Sequence, residues 1–402
     1  MSVYEKIRSV PLKILYFGIY SKGLEYPRNK NLIRGMRLNG VDVIEAHFEL
    51  AGSFQRRMNI VKNPLEFARF FLGLIASFTA LTWKFMWSPR VDAVIVGHPG
   101  YFHIHLAWFL RFFFQRRAVV VYDVFIPLYE MLIGDRELLK SGGLSARLLR
   151  RFERSCCRYA DLCLIDTEEH CRYLIEEYGL SPKKVSRIFV GATIDQKFDS
   201  PQVISGGIFK VLYVGTYIPL HGVDIILKTA QYLTGNQDIH FFLVGSGQLR
   251  EKMESMARKW GLSNVTFQDW IPTEHLGEFI RSFDLSLGIF GITPKTARVI
   301  PSKIYDICAA GVPFITADTP AIREAFSHGK NAYLIPSGNP KVLAESIRYL
   351  KLKPDIRKKI AEGAWQTGEG IFSFKRIGDD FIKAILCCCE ATDFFGCRRT
   401  RL

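Results

Sequence analysis

Along the chain, short apolar runs that end in glycine or a polar turn alternate with longer stretches whose apolar residues recur every three to four positions. Runs of the first kind read as buried strands, and the longer stretches as helices with one covered face. LKILYFG (12–18) is the first such strand, followed by a helical pattern at NKNLIRGMRLNG and a strand at VDVIEAHF. The pattern continues with the strand VDAVIVGH, a helix around IHLAWFLRFFF, the strand AVVVYDVF, a helix near ARLLRRFERSCCRYA and the strand DLCLIDT. Such alternation predicts a parallel sheet covered by helices on both faces.

A polar stretch bearing Pro and Gly, SPQVISGG (200–207), reads as a linker, and beyond it the alternation restarts. FKVLYVGTY, IHFFLVGSG, VTFQDW, LSLGIF and VPFITAD are the second set of strands, with helices between them. The predicted fold class is α/β: two doubly wound Rossmann-like domains, residues 1–203 and 204–402, facing a cleft where the carboxyl ends of both sheets bind ligand. FKRIGDDFIKAILCCC is expected to cross the hinge, and the tail after Glu390 reads as ragged.

Length agrees with this division, because 402 residues exceed what one hydrophobic core usually organises. A formal charge of +15 favours anionic partners: nucleic acid, acidic headgroups or phosphorylated small molecules. No nucleic-acid-binding signature is present and the basic residues are spread over the chain, so nucleic acid is the weakest of the three. Nine cysteines, with an adjacent pair and a triplet, fit free thiols in a reducing cytosol and make no zinc spacing. The N-terminus lacks the pattern of a signal peptide, and the most apolar stretch, residues 70–83, falls short of the roughly 20 residues that span a bilayer. A cytoplasmic location follows as the expectation.

Candidate chemistry lies at strand ends. Gly215 closes a strand and Gly222 precedes the next helix, so Thr216 to His221 form a loop where backbone amides can approach a phosphate; an ordinary turn explains the same residues. Gly245 and Gly247 repeat the device one unit later. Trp270 and Ile271 end a further strand, where the Ile271 backbone could receive a planar base and Trp270 reads as core. In VIPSKIYDICAAGVPFIT, Pro301 and Ser302 suit a helix start, and Lys303 beside free amides makes an anion seat. Asp306 lies on the same face, available to ribose hydroxyls or to an internal pair with Lys303. His98, His103 and His105 sit in a helical pattern that points them apart, and no metal site is expected.

Residues 209 to 376 resemble the donor domain of the family 4 glycosyltransferases of the GT-B architecture, through VLYVGTYIPLHGVD, FFLVGSGQL, NVTFQDWIP, FDLSLGIFG, PSKIYDICAAGVPFI, TPAIREAF and NAYLIPSGNPKVLAESI. YFGIYSKGLEYPRNKNLIRGMRLNGVDVIE and IFVGATIDQKF are similar to the family's first unit and its pre-linker strand. The resemblance implies sugar transfer from a nucleotide-activated donor to an acceptor hydroxyl, with retention of configuration and without metal or other cofactor. It carries the family's ribose-contacting carboxylate onto Asp306 and places Arg298 where a second carboxylate usually stands. A subgroup with a PSK-type helix start brings Lys303 to the phosphates, and His221 replaces a lysine common in the glycine loop.

In the N-terminal half Asp123, followed by Glu130, Asp135 and Arg136, is a candidate to orient the acceptor or act as base, or a strand-end capping residue. Arg28 and Lys30 are candidates for phosphate binding, or a solvated turn. The aromatic helices around residues 65–87 and 108–117 carry Arg69, Lys84, Arg111, Arg116 and Arg117, which suits contact with an acidic membrane and a lipid-linked or cell-envelope acceptor; plain burial on the sheet is the alternative. Two rival functions share the fold: a non-catalytic nucleotide-sugar-binding subunit and a nucleotide-sugar epimerase.

Overall fold

The computed structural model describes residues 12–20, 27–50, 64–135, 142–201 and 206–391. Among these, β1 (Lys13–Gly18), β2 (Asp42–His47), β3 (Ala93–Val96), β4 (Val119–Asp123), β5 (Leu162–Ile165) and β6 (Val185–Arg187) form a parallel sheet in the order β2-β1-β3-β4-β5-β6. Leu15 lies between Ile44 on β2 and Val94 on β3. Every residue of β3 and β4 is buried, which is why both strands read as unbroken apolar runs.

Helices cover both faces. On one side lie α2 (Pro64–Met86), α3 (His103–Phe114), α4 (Leu144–Tyr159) and α5 (Glu168–Tyr178), whose Leu81, Phe85, Ile104, Leu110, Cys156 and Leu174 share a core with Phe17, Val94 and Val120. On the other lies α1 (Arg28–Leu38), whose Leu32 and Met36 pack with Ile14, Tyr16 and Ile95.

The second sheet contains β7 (Phe209–Val214), β8 (Ile239–Val244), β9 (Val265–Gln268), β10 (Leu285–Leu287), β11 (Phe314–Ala317) and β12 (Tyr333–Ile335), in the order β12-β11-β10-β7-β8-β9. All of its pairings are parallel. Its helices are α6 (Val223–Tyr232), α7 (Arg250–Lys259), α8 (Thr273–Arg281), α9 (Ser302–Ala310), α10 (Pro320–Arg323), α11 (Pro340–Leu352) and α12 (Pro354–Glu369). The fold is thus α/β with two doubly wound units.

The last helix, α13 (Phe374–Ala391), returns to the first unit and shares a core with α1 through Ile377, Phe381 and Ile385. Two glycines let the helices touch: a Cβ on Gly378 would lie 2.0 Å from the Gly35 carbonyl oxygen. Asn39 Nδ2 donates to the Lys375 carbonyl at 2.8 Å.

One element differs from expectation. IFVGATIDQKF, expected to hold the strand before the linker, lies just past β6, because neighbouring groups take its backbone instead. The carbonyls of Ile188 and Phe189 accept from Arg28, those of Val190 and Ala192 from Asn31, and the amides of Thr193 and Ile194 donate to Asp306. This segment is therefore a strap fastened to both units, with Phe189 packed edge-on to Phe372 beside Tyr305. The centre of the predicted linker (202–205), Arg136 and the tail beyond Ala391 lie outside the described residues, as does the side chain of Asp135.

Candidate active site

The carboxyl ends of the two sheets meet. Thr167, which caps α5 of the first unit, donates its hydroxyl to the Arg298 carbonyl of the second at 2.5 Å. Glu324, just past α10, accepts the first amides of α5, Glu168 and Glu169, at 2.9 and 3.1 Å, a favourable place for a carboxylate.

In the second unit, the two glycine turns and Lys303 are one cluster. Gly215 (φ +157°) ends β7, and a Cβ there would sit 2.5 Å from Lys303 Nζ. Gly245 (φ +123°) ends β8, and its Cβ would fall 2.2 Å from the Gly215 carbonyl oxygen. At Gly245 the obstacle is backbone, so glycine is required there by space as well as by φ, whereas at Gly215 it is the end of the Lys303 side chain. Gly247 packs equally closely on the Tyr217 amide, and Gly222 is the left-handed residue that opens α6.

Lys303 lies in the first turn of α9 with its Nζ 3.8 Å from the centroid of the Tyr213 ring. That nitrogen is buried and has no hydrogen-bond partner among the described residues. Burial holds its pKa well below the ordinary lysine value. Pro301 is the residue before the helix, not within its first turn, and no side chain caps the α9 amides; Ser302 is exposed. The N-terminus of a helix carries unpaired amides and partial positive charge, and here an ammonium without an acceptor stands beside it.

Asp306 serves elsewhere. It makes no ion pair with Lys303; instead its Oδ1 accepts from the Thr193 and Ile194 amides of the strap at 2.5 and 3.2 Å. Burial raises its pKa to about 6, against the pull of those amides. A buried carboxylate needs such donors, and the strap supplies them.

His221 supplies no cation. Its Nδ1 lies 2.5 Å from the Thr216 carbonyl and 2.9 Å from Tyr213 Oη, and burial together with the Lys303 charge keeps its pKa far below the ordinary histidine value. It fixes the loop from within. Trp270, read as core, is about half exposed and lies against the Gly245 turn, with Ile271 half-buried behind it.

Arg298 reaches across to the first unit, where it pairs with Glu130 and lies 4.6 Å from the Tyr173 ring centroid. Glu130 Oε2 is 3.1 Å from His170 Nε2, and His170 Nδ1 is 2.6 Å from Asp166 Oδ1. Burial would lower the His170 pKa, but the two carboxylates outweigh it and raise it to about 9. Glu130, despite burial, is held at about 2 by His170, Lys295 and Arg298. Asp166, His170 and Lys295 escaped the sequence reading, although Asp166-x-x-x-His170 at a strand-to-helix turn puts both side chains on one face.

The expected base and one expected phosphate ligand turn out to be partners of each other. Arg28 and Asp123 are both fully buried; Arg28 Nη2 and Nε donate to Asp123 Oδ1 at 3.0 and 3.1 Å, and the remaining Arg28 nitrogen donates to strap carbonyls. Arg28 begins α1, so it points into the sheet end and not into a loop facing the cleft. Lys30 is on the outer surface, with its Nζ 2.6 Å from Asp195. His98 and His103 are buried and bonded to the Val124 carbonyl and to Ser77, and no group of three or more metal-ligating side chains occurs among the described residues.

Residues 195–367 match the family of glycosyl transferases group 1. The match covers the second unit, including both glycine turns, Arg298, Lys303 and Asp306. The D-inositol 3-phosphate glycosyltransferase of Thermomonospora curvata is 24% identical over 51% of this chain and 52% of its own length. A chitobiosyldiphosphodolichol beta-mannosyltransferase of Candida albicans is 22% identical over 75% of this chain and 70% of its own. The chain spans about half the length of the first of these relatives. Among solved structures, HepE of Anabaena in complex with UDP-glucose superposes with a TM-score of 0.66 at 15% identity, covering 93% of this chain and 99% of that one. Likeness at that level establishes the two-unit GT-B fold.

Proposed function

We propose that the chain is a glycosyltransferase that moves a sugar from a nucleotide-activated donor to an acceptor hydroxyl. The observation that carries this reading is Lys303: a buried amino group with no acceptor among the described residues, at the start of α9 and against the Gly215 turn. An unpaired buried amine gives up its proton easily, and a diphosphate entering there would supply the partner that holds it as an ammonium. Negative charge grows on that diphosphate as the sugar leaves, so preset amides and an ammonium act where the charge develops.

In this reading the base lies against Trp270 and Ile271, and the acceptor approaches from the first unit. Retention of configuration, a lipid-linked or cell-envelope acceptor, a cytoplasmic setting and a reaction without metal complete it. Asp123 contributes by fixing Arg28, not by removing the acceptor proton. Domain limits at 203 and 204 belong to the same reading.

A non-catalytic nucleotide-sugar-binding subunit is the second reading, favoured by the locked Arg28–Asp123 pair. Thermal-shift measurements with nucleoside diphosphates and their sugars test the common part: UDP or another diphosphate should raise the unfolding midpoint of the native chain and leave that of Lys303→Met unmoved. No shift with any diphosphate rejects both readings. Product analysis with the stabilising sugar nucleotide separates transfer from mere binding.

A further inference from the structure

Fourteen of the twenty-one large hydrophobic side chains that are exposed among the described residues fall between Leu65 and Leu148. They lie on or directly beside α2, α3 and the start of α4, successive helices on one face of the first sheet. Their inner faces are accounted for: Phe78 of α2 stacks on His103 of α3, and Trp108 of α3 meets Tyr159 of α4. The outer face is left with Leu72, Trp83, Trp87, Phe109, Phe113 and Leu148, each more than half exposed. An apolar face of this extent marks an interaction surface.

Charge decides what it meets. Across residues 64–117 and 142–160, ten lysine and arginine side chains are exposed, and none of the three acids there is: Glu153 is buried, and Glu66 and Asp92 are partly covered. On α4 the outward positions Leu144, Arg147, Leu148 and Arg151 follow one another at helical spacing, so apolar and basic groups share a face. Two copies of such a surface would oppose like charges, which disfavours self-association. A bilayer with anionic headgroups satisfies both features at once: aromatic groups enter the interface and bases meet the headgroups. No described helix is long and apolar enough to cross a membrane.

We infer that the outer face of α2, α3 and α4 docks on an anionic lipid bilayer, laying the first unit on the membrane surface. This surface shares no residue with the Lys303 cluster in the second unit, and the inference stands independently of sugar transfer.

The test is co-sedimentation of the full chain with vesicles of phosphatidylcholine alone or mixed with phosphatidylglycerol. Binding should require phosphatidylglycerol, weaken with salt, and fall by about tenfold or more in W83S/W87S/F113S and in R147E/R151E, both of which should keep the wild-type unfolding midpoint. Absence of binding to the mixed vesicles, or binding unchanged in both variants, overturns the inference. So does a solution dimer dispersed by W83S/W87S/F113S, or retention on a single-stranded oligonucleotide without vesicle binding. Vesicle binding by a chain that shows no nucleotide-induced thermal shift sinks the transfer reading and leaves this one intact.

Discussion

Arg298 of the second unit donates a hydrogen bond to Glu130 of the first, and Glu130 passes the contact on to His170 and Asp166. The position that the family resemblance assigns to a donor-side carboxylate thus carries a cation whose partner comes from the opposite unit. Charge is balanced within this buried row, so removing one member strands another. Glu130→Ala should destabilise the chain by about 3 kcal/mol, the usual cost of leaving a buried charge unpaired, read from urea unfolding. A loss under about 0.5 kcal/mol would mean the row is water-filled and weak.

The same row sets a pH dependence. His170 has its folded pKa raised to about 9, so its contribution is full below the unfolded value of 6.5 and is lost as pH rises through 9. Glu130 is lowered to about 2, so its contribution is present above 4.5 and is lost as pH falls towards 2. Stability should therefore decline on the alkaline side between pH 6.5 and 9, and His170→Gln should flatten that limb; an unchanged limb in the variant would show that His170 is not charged.

Lys303 is predicted to trade stability for binding. Lys303→Met replaces a buried amino group that lacks a hydrogen-bond partner among the described residues by an apolar chain of similar length and should stabilise the free protein by about 1 kcal/mol. It should also lower transfer by about 10²–10³-fold, the range for losing one group that stabilises developing charge. Calorimetric unfolding and a transfer assay read the two effects separately.

Asp306 fastens the strap to α9. Asp306→Ala leaves two amides of the strap without an acceptor and should cost about 2–4 kcal/mol, with Asp306→Asn recovering much of that loss because its oxygen can still accept. If Asp306→Ala alters only nucleotide affinity and leaves the unfolding midpoint in place, the residue serves the ligand and not the strap.

Gly245→Ala tests the contact of the two turns. Its Cβ would press on backbone, the Gly215 carbonyl, at 2.2 Å and at φ +123°, so the loop must shift, at a cost of about 1–3 kcal/mol. Nucleotide-dependent thermal stabilisation should shrink with it.

Local pattern along the chain determined most of the architecture. Short β-branched runs such as AVIV and VVVYD between turn signals read as strands buried on both faces, and the glycine after β8 marks a turn where backbone comes close. Lys303 at the start of α9 was legible for the same reason, since helix starts and glycine turns are short-range chemistry.

Pairing between distant charges was decided by tertiary structure. Asp123 looked free at a strand end until α1 brought Arg28 onto it from 95 residues away, and Arg298 found Glu130 across 168 residues. Lys303 and Asp306, adjacent on one helix, parted because the Gly215 turn and the strap offered each a different neighbour. A buried ionisable group is governed by whichever partner the packed chain delivers, and sequence spacing carries no record of that partner.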